Sequence, residues 1–172
     1  MHTTKHHILA RLEELGIAQR TIAHPPVFTV DEARTHTHHL PGGHCKNLFL
    51  KDKKDRLWLV TCLDDRVVDL NRLSKLLGAA RFSFGRAELL QQVLGVTPGS
   101  VTPLAIVNDT DLKVTHVLDT RLMAHELVNC HPLENDATTT LPSADLLRFI
   151  RVTGHEPVLV DLDQMEADGL PP

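Results

Sequence analysis

Two apolar runs, residues 44–50 and 57–63, flank a charged turn of Asp52, Lys53, Lys54 and Asp55. Each run has strand length and is bounded by turn residues, so the pair reads as a β-hairpin that any fold of this chain has to accommodate. The first run opens on Lys46 and Asn47, a cation beside an amide, just after Pro41, Gly42 and Gly43. Glycine lets backbone come close to a ligand, and a cation next to an amide at a strand mouth suits an anionic, hydrogen-bonding one. A plainer reading also stands: a hairpin whose basic turn, from Lys51 to Arg56, keeps a sheet edge soluble.

The remaining signals are short and mixed. Thr3 or Thr4 caps a helix with Ile8, Leu12 and Leu15 on its apolar stripe and Gly16 at its end. Residues 20–23 suit a short strand, and Thr29 with Glu32 has capping-box spacing, which predicts a helix after it. Residues 69–77 are helical, with Leu70, Leu73, Leu76 and Leu77 inward and Gly78 closing. A brief strand at 81–84 and a helix at 87–94, stopped by Gly95, follow. Residues 104–107 and 114–118 read as a second hairpin around 108–111, and 126–130 and 138–141 as further strands. Ser143 caps a last helix carrying Leu146, Leu147 and Ile150, with Gly154 at its end. Residues 157–162 complete the sheet and 164–172 form a loose tail. No repeat, linker or low-complexity tract divides the chain, so residues 1–172 are expected to form one domain. Short hairpins among scattered helices make it α+β, or mixed α/β, and not a doubly wound nucleotide fold.

At 172 residues, 42% of them hydrophobic, the chain is long enough to bury a core. No apolar run has the length to span a bilayer, and residues 1–5 lack the apolar core of a secretory signal. Cys45, Cys62 and Cys130 form no C-x-x-C pair, as fits reduced thiols, so a cytoplasmic protein without a membrane partner is expected. A net charge of −4 speaks against a surface that coats nucleic acid, and DNA is not an expected partner. A local basic patch remains at Lys46, Lys51, Lys53, Lys54 and Arg56. The absence of G-x-S-x-G, G-x-x-x-x-G-K-[ST] and G-x-G-x-x-G argues against a serine nucleophile elbow, a P-loop and a dinucleotide site. His36, His38, His39 and His44, with Cys45 alongside, have spacings that can bind zinc. Neither H-E-x-x-H nor paired cysteines accompany them, so no metal and no cofactor is expected. Lys46 beside Cys45 is placed to lower the thiol pKa.

Two later segments bear on the Lys46-Asn47 pair. Gly99, Ser100 and Pro103 belong to a G-x-x-x-P element, which alone reads as a turn at a strand start. Cys130-His131-Pro132-Leu133-Glu134-Asn135 is followed by Thr138-Thr139-Thr140. In this order, and with His24-Pro25-Pro26-Val27-Phe28-Thr29 and Leu146-Leu147-Arg148-Phe149, these segments resemble the YbaK/prolyl-tRNA-synthetase-associated editing domain family, over nearly the whole chain. The closest branch is that of the free-standing alanyl-tRNA(Pro) deacylases (ProX, PrdX).

The resemblance implies a mixed sheet curled toward a barrel and flanked by helices. It implies a trans-editing hydrolase that cleaves the ester between a wrongly attached amino acid, alanine above all, and the 3′ end of tRNA(Pro), with water attack helped by the substrate 2′-hydroxyl. Lys46 then holds the terminal phosphate or ribose, and Asn47 a ribose hydroxyl or the aminoacyl group. The loop from Gly99 through Ser100 to Pro103 holds a carbonyl or α-amine and stabilises the oxyanion. His131 binds a water or ribose in preference to acting as a base, and Asn135 anchors a loop. Pro25, Pro26, Val27 and Phe28 are pocket walls that admit alanine and refuse proline. Lys51, Lys53 and Lys54 meet the acceptor stem, and Arg81 is a further phosphate contact. The implied partner is the acceptor end of tRNA(Pro), with prolyl-tRNA synthetase or elongation factor as transient ones. Three alternatives stay open: a Cys-tRNA(Pro) deacylase of the same fold, a non-catalytic module that binds amino acids or tRNA ends, and a metal hydrolase built on the histidine cluster.

Overall fold

Most helix starts in this chain are set by a side-chain oxygen that takes up a free backbone N–H. The computed structural model describes residues 2–167. Helix α1 (Lys5–Glu14) starts at Thr4, which accepts from His7 N, and it buries Ile8 and Leu12. Strand β1 (Arg20–Ala23) leads to α2 (Val30–Thr37), where Thr29 accepts from Glu32 N. The Glu32 carboxylate takes the Phe28 N–H at 3.0 Å, one residue before the cap, so the reciprocal half of the capping box is displaced outward. Strands β2 (Gly43–Asp52) and β3 (Leu57–Leu63) form the expected hairpin. Its turn is organised by buried Asp52, which accepts from Lys54 N, Arg56 N and Trp58 Nε1. After α3 (Leu70–Leu76), capped by Asp69, come β4 (Phe82–Phe84) and α4 (Ala87–Leu94), then β5 (Val114–Asp119), α5 (Thr120–Met123), β6 (Leu127–Cys130) and β7 (Ala137–Pro142). Helix α6 (Ser143–Val152), β8 (Val158–Val160) and α7 (Asp163–Ala167) complete the described chain.

The strands make one mixed sheet in the order β1-β7-β6-β2-β3-β5-β8, with β4 attached to β2. Strand β2 joins the two halves. Gly43 and His44 pair parallel with β6, residues 45–51 pair antiparallel with β3, and residues 50–52 pair with β4. At Gly42 the backbone has φ 98°, and an added Cβ would lie 2.2 Å from the Leu127 carbonyl oxygen. The close approach allowed by Pro41-Gly42-Gly43 is therefore to the backbone of the next strand, not to a ligand. All seven residues of β3 are buried. Leu57, Leu59 and Leu63 enter one core with Leu12, Phe49, Leu104 and Phe149, while Trp58, Val60 and Cys62 enter a second with Leu50, Leu73 and Phe82. A strand covered on both faces reads as a continuous apolar run.

The mixed sheet among helices is the expected fold class, its strand path running openly from β1 to β8. Several local expectations need correction. Residues 104–107 are not a strand: Pro103–Asn108 is a 3-10 helix with Pro103 in its first turn and Thr102 accepting from Leu104 N. A short, unbroken apolar run does not distinguish a strand from a buried turn. Strand β5 pairs parallel with β3 and β8, so no second hairpin forms. Pro142 holds the cap position of α6, and Ser143, its first helical residue, donates its hydroxyl to the His125 carbonyl at 2.5 Å. The start of the expected tail is helix α7, with Met165 in the second core; residues 168–172 lie outside the described residues. Among the described residues no helix is long and apolar enough to cross a membrane.

Helix α7 is fastened by a buried ion network. Arg66, only 6% exposed, donates to both carboxylate oxygens of Asp119 at 3.0 Å and to Asp163 at 2.5 Å. Asp119 also accepts from Leu63 N and Arg121 N. Truncation of Asp119 strands a buried guanidinium, so Asp119→Ala is expected to cost about 3–5 kcal/mol in urea unfolding. A loss under about 1 kcal/mol, the usual limit for an exposed ion pair, would show that the network is solvated.

Candidate functional site

Neighbouring side chains on a strand point to opposite faces, and at the start of β2 the Lys46 ammonium and the Asn47 amide take different partners. Asn47 donates its amide to the Val101 carbonyl at 3.2 Å, and its oxygen accepts from the Thr61 hydroxyl at 2.7 Å. Because a carbonyl only accepts, Val101 fixes which end of the amide is nitrogen. The Thr61 hydroxyl, having donated to Asn47, must then accept from His116 Nε2 at 2.9 Å. His116 lies on β5 and is 1% exposed, and its Nδ1 has no hydrogen-bond partner among the described residues. A buried relay thus runs from His116 through Thr61 to Asn47. Lys46 borders the same space as Asn47, with its ammonium turned to the Arg66 carbonyl, to which it donates at 2.7 Å.

Above Asn47 lies a concavity of about 140 Å³ bordered by Val27, Phe28, Lys46, Asn47, Gly99 and His131, with Val30, Ala33 and Val101 as further apolar lining. A recess of about 50 Å³ shares Cys45, Asn47 and His131 with it and extends to Asn129 and Thr138. Four separate stretches of chain meet here. The loop at 24–28 is tied to the loop at 135–136, since His24 N donates to Asp136 O at 2.9 Å, Val27 N to Asn135 O at 3.1 Å, and Asn135 Nδ2 to Val27 O at 2.8 Å. Asn135 is thus the loop anchor expected from sequence. A Cβ on Gly99 would meet the Phe28 ring at 3.1 Å and the Asn135 amide at 3.2 Å. The missing side chain at Gly99 therefore lets Phe28 and Asn135 pack close to this turn.

His131 Nδ1 donates to the Ala137 carbonyl at 2.9 Å, which leaves Nε2 as the lone-pair nitrogen of a neutral ring. Burial lowers its pKa, aided by His24 and partly opposed by the Ala137 hydrogen bond. Next to it, His24 donates Nδ1–H to the Pro25 carbonyl and takes the Thr138 hydroxyl on Nε2, both at 2.8 Å. The His24 ring stacks on His36 with centroids 5.7 Å apart and lies 6.3 Å from His131. The set of His36, His38, His39 and His44 is dispersed: His38 meets His39 edge-on and His44 bonds the Leu40 carbonyl. Among the described residues no three His, Cys, Asp or Glu are grouped to hold a metal. Cys45 is half-buried, and burial pushes its thiol pKa well up, opposite to the lowering that Lys46 beside it could give.

Other expected contacts lie elsewhere. Pro26 and Ser100 border a different depression, beside Lys5 and Asp136. Ser100 is buried, and so is Pro103 at the start of its 3-10 helix. Pro25 is exposed, so of the four expected walls Val27 and Phe28 line the concavity. Lys51 and Lys53 line a broad groove of about 740 Å³ with Phe84, Arg86, Asp52, Asp55 and Glu88. That groove sits at the other end of β2, about 13 Å from Asn47 by strand rise. Lys51 is paired with Asp55 at 3.1 Å. Lys54 is on the turn, and Arg81 is exposed there too, accepting from Lys53 N through its carbonyl at 3.1 Å. From sequence, His24 and Thr138 stood in the quoted motifs without a role, and Thr61 and His116 were not singled out. A histidine inside the apolar run of β5 was the one readable sign of the relay.

Residues 24–149 match the aminoacyl-tRNA editing domain. The chain is 46% identical over 154 residues to prolyl-tRNA synthetase associated domain-containing protein 1 of Danio rerio, covering 88% of this chain and 84% of that protein. It is 34% identical over 152 residues to the prolyl-tRNA editing protein ProX of Acetoanaerobium sticklandii, covering 88% and 93%. Its fold matches a crystal structure described as "a putative trans-editing enzyme for prolyl tRNA synthetase", with TM-score 0.70 and 19% identity over 94% of this chain and 98% of the other. The architecture is thus that of the YbaK-like editing domains.

Burial drives the pKa of His116 down from 6.5 to about 3. The unfolded chain takes up this proton near the ordinary histidine value, whereas the folded chain does not, so acid favours unfolding. The contribution of His116 is complete above pH 6.5 and is lost progressively toward pH 3, at up to about 1.4 kcal/mol per pH unit. Urea unfolding at pH 7 and pH 5 is expected to show a shallower loss for His116→Gln than for the native protein. Equal losses would mean that His116 titrates normally.

Proposed function

This chain belongs to the aminoacyl-tRNA editing domain family, and from that premise we propose that it deacylates mischarged tRNA(Pro), removing alanine by hydrolysis of the aminoacyl ester. The observation that carries this reading is the meeting of Val27, Asn47, Gly99 and His131, from four distant stretches, around a concavity of about 140 Å³. Such a space suits a small side chain attached to a polar, hydrogen-bonding group.

In this reading the aminoacyl group enters against Val27, Val30, Ala33 and Val101. Asn47 keeps a second amide hydrogen beyond the one given to Val101, and its orientation is fixed by the relay from Thr61. A donor held before the reaction begins stabilises developing oxyanion charge without reorganisation. The Nε2 lone pair of neutral His131 accepts a hydrogen bond from the attacking water, the ribose or the α-ammonium. Lys46 has two donors beyond the one on Arg66 and supplies positive charge at the rim, where the RNA 3′ end approaches. The water is activated by the neighbouring 2′-hydroxyl of the substrate, so the protein contributes position and electrostatics.

Size explains why a second sieve is useful. A synthetase pocket shaped for proline rejects a smaller amino acid weakly, since each lost methylene is worth only about 1–3 kcal/mol. A tighter pocket rejects proline by overlap. The partner is then the acceptor end of tRNA(Pro), presented in the cytoplasm with prolyl-tRNA synthetase or elongation factor as transient carriers. Lys51 and Lys53 line the groove where an acceptor stem would extend, and Lys54 is on the adjoining turn.

Single-turnover hydrolysis of Ala-, Cys- and Pro-tRNA(Pro) tests this. Alanine is expected to be released fast and proline at the spontaneous rate, with Asn47→Ala and Lys46→Ala slower by about 10²-fold. Faster release of cysteine would reassign the substrate. No release above the spontaneous rate would leave a module that binds tRNA ends without catalysis.

A further inference from the structure

We propose that the ring of Phe28 is a stacking platform for the terminal base of the RNA, an inference that rests on the deacylase reading and adds to it what holds the RNA end outside the pocket. Phe28 is 71% exposed, although it borders the concavity. An exposed aromatic is not rare in itself; here the backbone beneath it is fixed on both sides. Phe28 N donates to Glu32 Oε2 at 3.0 Å, and Val27, 2% exposed, exchanges two hydrogen bonds with Asn135. The preceding Pro25 and Pro26 restrict the approach further through their locked φ angles. The ring rests against Gly99, where a Cβ would come within 3.1 Å of it. One edge of the ring is thus braced by protein while most of its surface is left to solvent.

The geometry of the substrate decides what this surface meets. An aminoacyl group seated in about 140 Å³ leaves no room there for the ribose and base to which it is esterified. Those groups must lie outside, at the rim that Phe28 forms. A wall serving only the amino acid would be buried in the protein, as Val27 is at 2% exposed. A braced ring open on its outer surface matches the way proteins hold unpaired bases, by stacking on aromatic side chains whatever the base identity.

The test uses two alanylated acceptor-stem minihelices, one complete and one lacking only the terminal base, with native protein and Phe28→Ala. Removing the ring is expected to lower kcat/KM on the complete substrate by about 5–150-fold, the range of one base–aromatic stack. Removing the base is expected to cost the native protein the same factor, and removing both no more than either alone. Losses that multiply would make Phe28 a pocket wall or a folding element and overturn the proposal, as would no loss at all. A second measurement does not depend on catalysis. In Phe28→Trp, indole fluorescence is expected to be quenched by the uncharged complete minihelix and not by the one without the base. Equal quenching by both, or none, overturns the proposal even if the protein hydrolyses neither substrate, whereas base-dependent quenching without hydrolysis would keep it and sink the deacylase reading alone.

Discussion

Strand β2 is hydrogen-bonded to three other strands along its ten residues, and the placement of Asn47 beside Thr61, Asn129 and His131 follows from that. Its first two residues lie parallel to β6, its middle lies antiparallel to β3, and its last residues hold β4. The parallel contact brings Asn129 and His131 to the side of Asn47, and the antiparallel register sets Asn47 opposite Thr61. The junction depends on Gly42, whose positive φ and lack of a side chain let the chain cross close to Leu127. A Cβ there would force the strands apart and with them the two halves of the site.

The polar groups of the site are held before any substrate arrives. Val101 and Thr61 fix the Asn47 amide, His116 fixes the Thr61 hydroxyl, and Ala137 fixes the tautomer of His131. Asn47 keeps one amide hydrogen and His131 its Nε2 lone pair for a ligand. Fixed dipoles in a partly desolvated setting act without first rearranging, and their supporting contacts are as necessary as the groups themselves. Lys46 is placed differently: its bond to the Arg66 carbonyl links the rim to the buried Arg66–Asp119–Asp163 network and so to helix α7.

Local pattern made much of the fold legible. Strands β1 and β3 and helix α4 match their expected bounds, because each shows turn or capping residues at both ends. The failures fall where local pattern left more than one structure open. Residues 104–107 carry four apolar side chains without alternation, and Pro103 tips them into a 3-10 helix. Met165 and Asp163 turn a polar tail into a helix by contacts with the second core and Arg66. At the site, Lys46, Asn47, Val27, Phe28, Gly99 and His131 were named from sequence and do share one concavity. Ser100 and Pro103, their neighbours in the motif, do not, because a 3-10 turn directs them into the protein. The His116–Thr61 relay was not visible, since its members lie 55 residues apart and only the parallel pairing of β3 with β5 brings them together.

The central claim is that the small concavity at Asn47 receives the aminoacyl group and excludes proline. The most direct measurement is NMR titration of the protein with two non-hydrolysable 3′-amide analogues of the charged RNA end, one alanyl and one prolyl. The account predicts that the alanyl analogue shifts the amides of Val27, Asn47, Gly99 and His131, and that the prolyl analogue leaves them largely in place. Equal response to both analogues, or shifts confined to the groove at Lys51, Lys53 and Arg86, would contradict it.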